Sequence, residues 1–257
     1  MAVRLSIHAL EILPGSPGPK LQMVKQQLVR KIYIFLTNAA ADVVKAVVAK
    51  NEELNKVTKE QELLIASLAA IQWQELMNSV ITDLYEAVQI GGSDGIAQTE
   101  LKEFNLESLA STYSSKRSAE MIGKKVVDGV LEDNPNARYV ISNTTKDDLE
   151  DLIARAVEND ISIDGLVKQI QFATTFSRTR AELIAKTEIA MAQIHGHLEM
   201  WKSSGVVKKV NIVLSSDHIL EDMCDVVSKQ SPFAIDELPS MPIHPNCECS
   251  VEAVETE

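Results

Sequence analysis

"VVKKVNIVLSS", residues 206–216, is the stretch that decides the fold, because the apolar period changes there. Val210, Ile212 and Leu214 alternate with Lys209, Asn211 and Val213, the period of two that sets alternate side chains on one face of a strand. The long segments before it repeat at three to four residues instead. The spacing predicts an α+β chain, predominantly α, in which a long N-terminal helical hairpin and further helices precede a small β segment rich in cysteine and histidine.

Working back from the strand, "SRTRAELIAKTEIAMAQIHGHLEMWKSSG" (177–205) reads as the longest helix, capped by Ser177 and stopped by Gly205. Ala181, Ile184, Ala185 and Ile189 share one of its faces, predicted to pack on the C-terminal strand, with Thr187 and Glu188 anchoring the turn region. Ser162 starts another helix. Thr144, with Asp147 three residues on, reads as the N-cap of a short one. Residues 106–131 read as a helix ended by "EDNPNAR" (132–138).

Further upstream, Val24, Leu28, Ile32, Phe35, Ala39, Val43 and Val47 mark an amphipathic helix from Leu21 to about Lys50. Leu64, Leu68, Leu76, Val80, Leu84 and Val88 mark a second from about Lys59 to Ile90, ended by "GGSDG" (91–95), a breaker. The two are predicted to form an antiparallel hairpin joined near "KNEELNKVTKE" (50–60). Each spans about 45 Å at 1.5 Å per residue, long for a compact domain of this size, which marks them as docking elements. With no internal repeat or low-complexity tract, the division falls near residue 140, giving a helical region 1–140 and a second domain 141–257.

The 257 residues are 45% hydrophobic but only 4% aromatic, so the core is built from aliphatic side chains, as in helix-rich proteins. Net charge is −12, and it is uneven: residues 1–130 carry 14 basic and 15 acidic groups, residues 131–257 carry 11 and 22. Such a surface repels phosphate, so nonspecific nucleic-acid binding needs a local basic patch. "MAVRLSIHALEILPGSPGPK" (1–20) lacks the uninterrupted apolar core of a signal peptide. "IYIFLTNAAADVVKAVVA" (32–49) contains Asn38, Asp42 and Lys45 and falls short of a membrane span. A soluble protein of a reducing cytoplasm is expected.

Beyond the strand lie all three cysteines, Cys224, Cys247 and Cys249, the last two in "HPNCECS" (244–250). Two cysteines at i and i+2 cannot close an unstrained disulfide, and three leave one unpaired in any scheme. Three thiols with His218 or His244 do make a Cys3His set for tetrahedral zinc. The segment 217–250 is too poor in apolar residues to fold alone, whereas structural zinc contributes ~10–16 kcal/mol in small peptide sites. The competing reading makes Cys224 a small buried hydrophobe and the C-x-C pair incidental. Asp217 and His218 read as turn residues or ligands, and His195 and His197, two positions apart on one helix, face different ways and are assigned no ligand role.

At this point the order of motifs becomes recognisable. "RAELIAKTEIAMAQIHGHLEMWKSSGVVKKVNIV", then "DMCD", then "ELPSMPIHPNCECS" resembles the C-terminal domain of the phage Mu F-like minor head proteins, also called head morphogenesis proteins. The likeness covers about residues 145–251, with Arg180, Thr187, Glu188, Gly205, Cys224, His244, Pro245, Asn246, Cys247 and Cys249 at the pattern's positions. Val227 stands where many members have a further cysteine, and Glu248 where they have a basic residue.

The resemblance implies a structural virion protein and not an enzyme. Its expected role is a minor head component acting in head morphogenesis and in DNA packaging or ejection, located in the virion. Portal protein or major capsid protein are the implied partners, with packaged DNA as a further one and no membrane. The rival readings are a zinc-dependent enzyme using Glu221 or Asp222 as general base, and a DNA-binding module.

Overall fold

The computed structural model describes residues 18–51, 59–97, 104–216, 218 and 221–254. The reading of the first seventeen residues, the joint of the N-terminal hairpin and the assignment of Asp217 all lie outside the described residues. The architecture is α+β and predominantly α, with the small β segment near the C-terminus.

Helix α1 (Pro19–Asn51) buries Leu21, Val24, Leu28, Ile32, Leu36, Val43 and Val47 along one stripe. It packs on α2 (Lys59–Ala70), α3 (Trp73–Ala97) and α7 (Arg178–Ser204). Contrary to the sequence-based expectation, α1 is long and apolar enough to cross a membrane by length and composition, with a mean hydropathy of 1.6 over eighteen residues. Its stripe is spent on neighbouring helices, as in the core helix of a globular fold.

The helix expected over Lys59–Ile90 is two helices that break at Ile71 and Gln72, and the second runs through the glycines to Ala97. Those glycines are contact residues, not breakers. A Cβ on Gly91 would stand 2.1 Å from the Gln193 carbonyl oxygen, and one on Gly196 of α7 would stand 2.4 Å from that of Val88. Backbones can approach this closely only where a glycine stands at the contact, and α3 and α7 form the most extensive helix pair among the described residues.

Helix α4 (Leu106–Met121) is capped by Asn105, whose side chain accepts from the Ser108 N–H. It stops ten residues short of the expected end, because "KKVVDGVLED" is a hairpin of β1 (Lys124–Val127) and β2 (Val130–Asp133). Asp128 and Gly129 both have positive φ, as a tight two-residue turn demands, and Asp-Gly between apolar residues is the strongest local hairpin signal.

Helix α5 (Ile141–Glu158) begins at Val140 without a side-chain cap. Thr144 is inside it and not its N-cap, its hydroxyl donating to the Ile141 carbonyl and accepting from Arg180. Ser162 caps α6 (Ile163–Gln171), and after a 3-10 turn at Thr174–Phe176, Ser177 caps α7 as expected. At 27 residues α7 is second to the 33 of α1, and Gly205, at φ 66°, closes it in the left-handed conformation.

Beyond α7 come β3 (Lys209–Val213), α8 (Met223–Ser228), β4 (Phe233–Ala234) and β5 (Ser250–Ala253), an antiparallel sheet in the order β4-β3-β5. Val210 and Ile212 of β3 are buried, as their alternation predicts.

Two apolar clusters share α7. Ala181, Ile184, Ala185 and Ile189 belong to the helical core with α1 and α3, not to the strand as expected. The sheet is instead covered by Ile194, Leu198 and Trp201, which are later turns of the same helix. A 27-residue helix extends past one core into the next, and its period alone does not say which turn meets which.

Candidate metal centre

The closing segment returns to the start of α8 through a turn in which the Cys247 N–H donates to the His244 carbonyl. Asn246 takes φ 66°, a left-handed conformation asparagine tolerates better than most residues. Its N–H donates to the Thr187 hydroxyl at 2.9 Å, so Thr187 anchors the turn region as expected. Glu188 does not: it faces away, accepting from Arg117 Nε at 2.7 Å and Nη2 at 2.6 Å in a buried pair between α4 and α7. Arg180 clasps the Thr145 and Thr175 hydroxyls and the Ile141 and Thr175 carbonyls.

This path brings together the three cysteines, His218 and His244. Cys224, Cys247 and Cys249 are free and buried, and the donors form two triads sharing Cys224: His218, Cys224, Cys249 and Cys224, His244, Cys247, each within 4.8 Å atom to atom. Cys224 Sγ lies 3.5 Å from Cys247 Sγ, and Cys249 Sγ lies 3.8 Å from His218 Nδ1. The edge of a tetrahedron with zinc–sulfur bonds of about 2.3 Å is about 3.8 Å, close to both of these separations.

The two imidazoles differ in support. His218 is 7% exposed in its side chain, and its Nε2 sits 2.8 Å from Asp225 Oδ2. That carboxylate is the first cause of the raised pKa of His218. A proton held on Nε2 leaves Nδ1 as the lone-pair nitrogen facing Cys249, the carboxylate–histidine arrangement typical of metal ligands. His244, 32% exposed, sets Nδ1 2.8 Å from the Pro245 carbonyl and Nε2 3.1 Å from Asp222 Oδ2.

Asp225 was not legible as a participant. The signal available was the D-x-x-D spacing of a reciprocal cap, since Asp222 accepts from the Cys224 N–H while Asp225 accepts from the Asp222 N–H.

The thiols are electrostatically unequal. Hydrogen bonds from Cys249 and Cys224 hold the Cys247 thiol well below its ordinary value, while burial pushes Cys224 up and the hydrogen bond with Cys247 raises Cys249. A cluster of sulfur donors of this kind suits a soft or borderline divalent cation such as zinc.

Glu248, the reversed charge between the last two cysteines, bonds Lys25 of α1 and lies 3.2 Å from Lys186 of α7. Burial raises the pKa of this carboxylate, but the hydrogen bonds and charges of Lys25 and Lys186 outweigh it and hold it below its ordinary value, so the acid ties the cysteine turn to the helical core. His195 stacks on Tyr113 and His197 on Trp201, and neither belongs to a donor group among the described residues.

No family model, curated protein or solved structure matches the chain.

Proposed function

We propose that the chain is a structural virion component, a minor head protein. In this reading its C-terminal segment is locked by one zinc ion on Cys224, Cys247, Cys249 and His218. The observation that carries the metal half of the proposal is the pair of donor triads, His218–Cys224–Cys249 and Cys224–His244–Cys247, that meet at Cys224, with His218 already oriented by Asp225. The assembly half rests on the resemblance and on what the motif residues do. Arg180 and Glu188 are spent on buried contacts within the fold, and Thr187 holds the cysteine turn.

Assembly contacts are assigned to α1 and α2. Their inner stripes are buried, and Met23, Ile34 and Val48 of α1 and Ile65 of α2 stand exposed on the outside. Portal or major capsid protein is the partner in this reading, with the protein located in the virion. The test is incorporation into heads of the full chain and of a variant with Met23, Ile34, Val48 and Ile65 changed to serine. Normal entry of the full chain and loss of the variant supports the proposal. Failure of the full chain to copurify with heads overturns it.

A further inference from the structure

We propose that Cys224 and Cys247 form a redox-active pair, which hydrogen peroxide converts from metal ligands into a disulfide. The proposal deepens the zinc reading of this site, although the thiol chemistry itself needs no metal.

Three observations support it. The two sulfurs stand 3.5 Å apart, so an approach of about 1.5 Å reaches the disulfide bond length of about 2.05 Å. The two belong to different elements, α8 and the closing turn, which unlike a C-x-C pair can approach without straining one short ring. A cavity of about 70 Å³, lined by His218, Asp222, His244, Cys247 and Cys249, opens on the Cys247 side. Peroxide is little larger than water, whose share of liquid volume is about 30 Å³, so it has room in this space. Of the two paired sulfurs, Cys247 lines that cavity and Cys224 does not. Cys247 is therefore the attacking sulfur and Cys224 the resolving one.

The step balances. Cys247 thiolate attacks one peroxide oxygen, the O–O bond breaks, and hydroxide leaves with the electron pair, giving a sulfenic acid on Cys247. Cys224 then attacks that sulfur, the S–O bond breaks, and the hydroxyl leaves as water with the thiol proton. In sum two thiols lose two electrons and two protons while peroxide becomes two waters. Cys249 and His218 are left as two donors, below the four of a structural zinc site, so a bound zinc ion is released unchanged in charge.

The experiment treats the full chain, as purified and after chelation, with hydrogen peroxide. The product is then unfolded, alkylated and peptide-mapped, with a chromophoric chelator following the metal. The expected result in both forms is a Cys224–Cys247 crosslink with Cys249 alkylated, and in the metal-loaded form one zinc released per crosslink. Cys249→Ser keeps the crosslink and Cys224→Ser loses it. Three alkylated thiols after peroxide, or a crosslink that includes Cys249, overturns the proposal. A crosslink in a chain that never held zinc supports the thiol pair and counts against the zinc reading alone.

Discussion

The Asn246 N–H donates to the Thr187 hydroxyl at 2.9 Å, joining the turn that carries Cys247 and Cys249 to the middle of α7. The hydroxyl also donates to the Leu183 carbonyl, so it serves the helix and the loop together. Thr187→Val leaves the Asn246 donor without its acceptor and is expected to cost about 1–3 kcal/mol in urea unfolding. Asn246→Gly, which keeps the left-handed turn, is expected to cost less than Asn246→Val, whose β-branched side chain opposes positive φ.

Glu188→Gln removes the charge opposite Arg117, which is 2% exposed and bonded through two nitrogens. The guanidinium keeps Glu120, 3.4 Å from its Nη1, as its remaining carboxylate, so the expected loss is about 1–3 kcal/mol, that of weakening a buried hydrogen-bonded pair. Replacing both partners, as Arg117→Met with Glu188→Leu, is expected to cost less than the single change in the same denaturation series.

Gly196→Ala tests the α3–α7 contact. On helix propensity alone alanine gains about 1 kcal/mol. Here the new Cβ stands 2.4 Å from the Val88 carbonyl and 2.7 Å from the Gly92 nitrogen, so the helices must part. Thermal unfolding is expected to show a net loss, about 1–3 kcal/mol for overpacking of this kind.

Burial holds His197 down to about 4. Above the unfolded-state value of about 6.5 both states are neutral at this ring and it has no effect on stability. Between 6.5 and 4 the unfolded chain takes the proton and the folded one does not, so stability falls with pH across that window, by at most about 3 kcal/mol. His197→Phe is expected to flatten that part of a pH series of urea midpoints, and an unchanged slope contradicts the assignment.

Much of this was legible in the sequence where one local rule acted alone. The stripes of α1 and α7, the caps at Ser162 and Ser177, the stop at Gly205 and the alternation of β3 each follow from periodicity or from a single side chain. The misreadings share a different cause. Gly91 and Gly92 signal a break locally, and only the approach of α7 turns them into packing residues. Asp128-Gly129 was a local signal overlooked within an apparent helix. At the metal centre the donors were identifiable by chemistry, but the choice between His218 and His244 depends on Asp225, which reaches the ring only once α8 has folded. Glu248 is likewise explained by Lys25, 223 residues away.

His218 and its partner also separate the two imidazoles experimentally. Asp225→Asn weakens the hold on the His218 tautomer and is expected to lower zinc affinity about 10- to 100-fold in competition with a chelator. His218→Ala is expected to lose stoichiometric metal, while His244→Ala keeps it.

In the proposed site three thiolates and one imidazole close around zinc. X-ray absorption at the zinc edge on the full chain, with elemental analysis of the same sample, reads this ligand set. The expected result is about one zinc per chain, with three sulfurs at about 2.3 Å and one nitrogen at about 2.0–2.1 Å. A sample without zinc after metal-supplemented expression, or a zinc shell of nitrogen and oxygen alone, contradicts it.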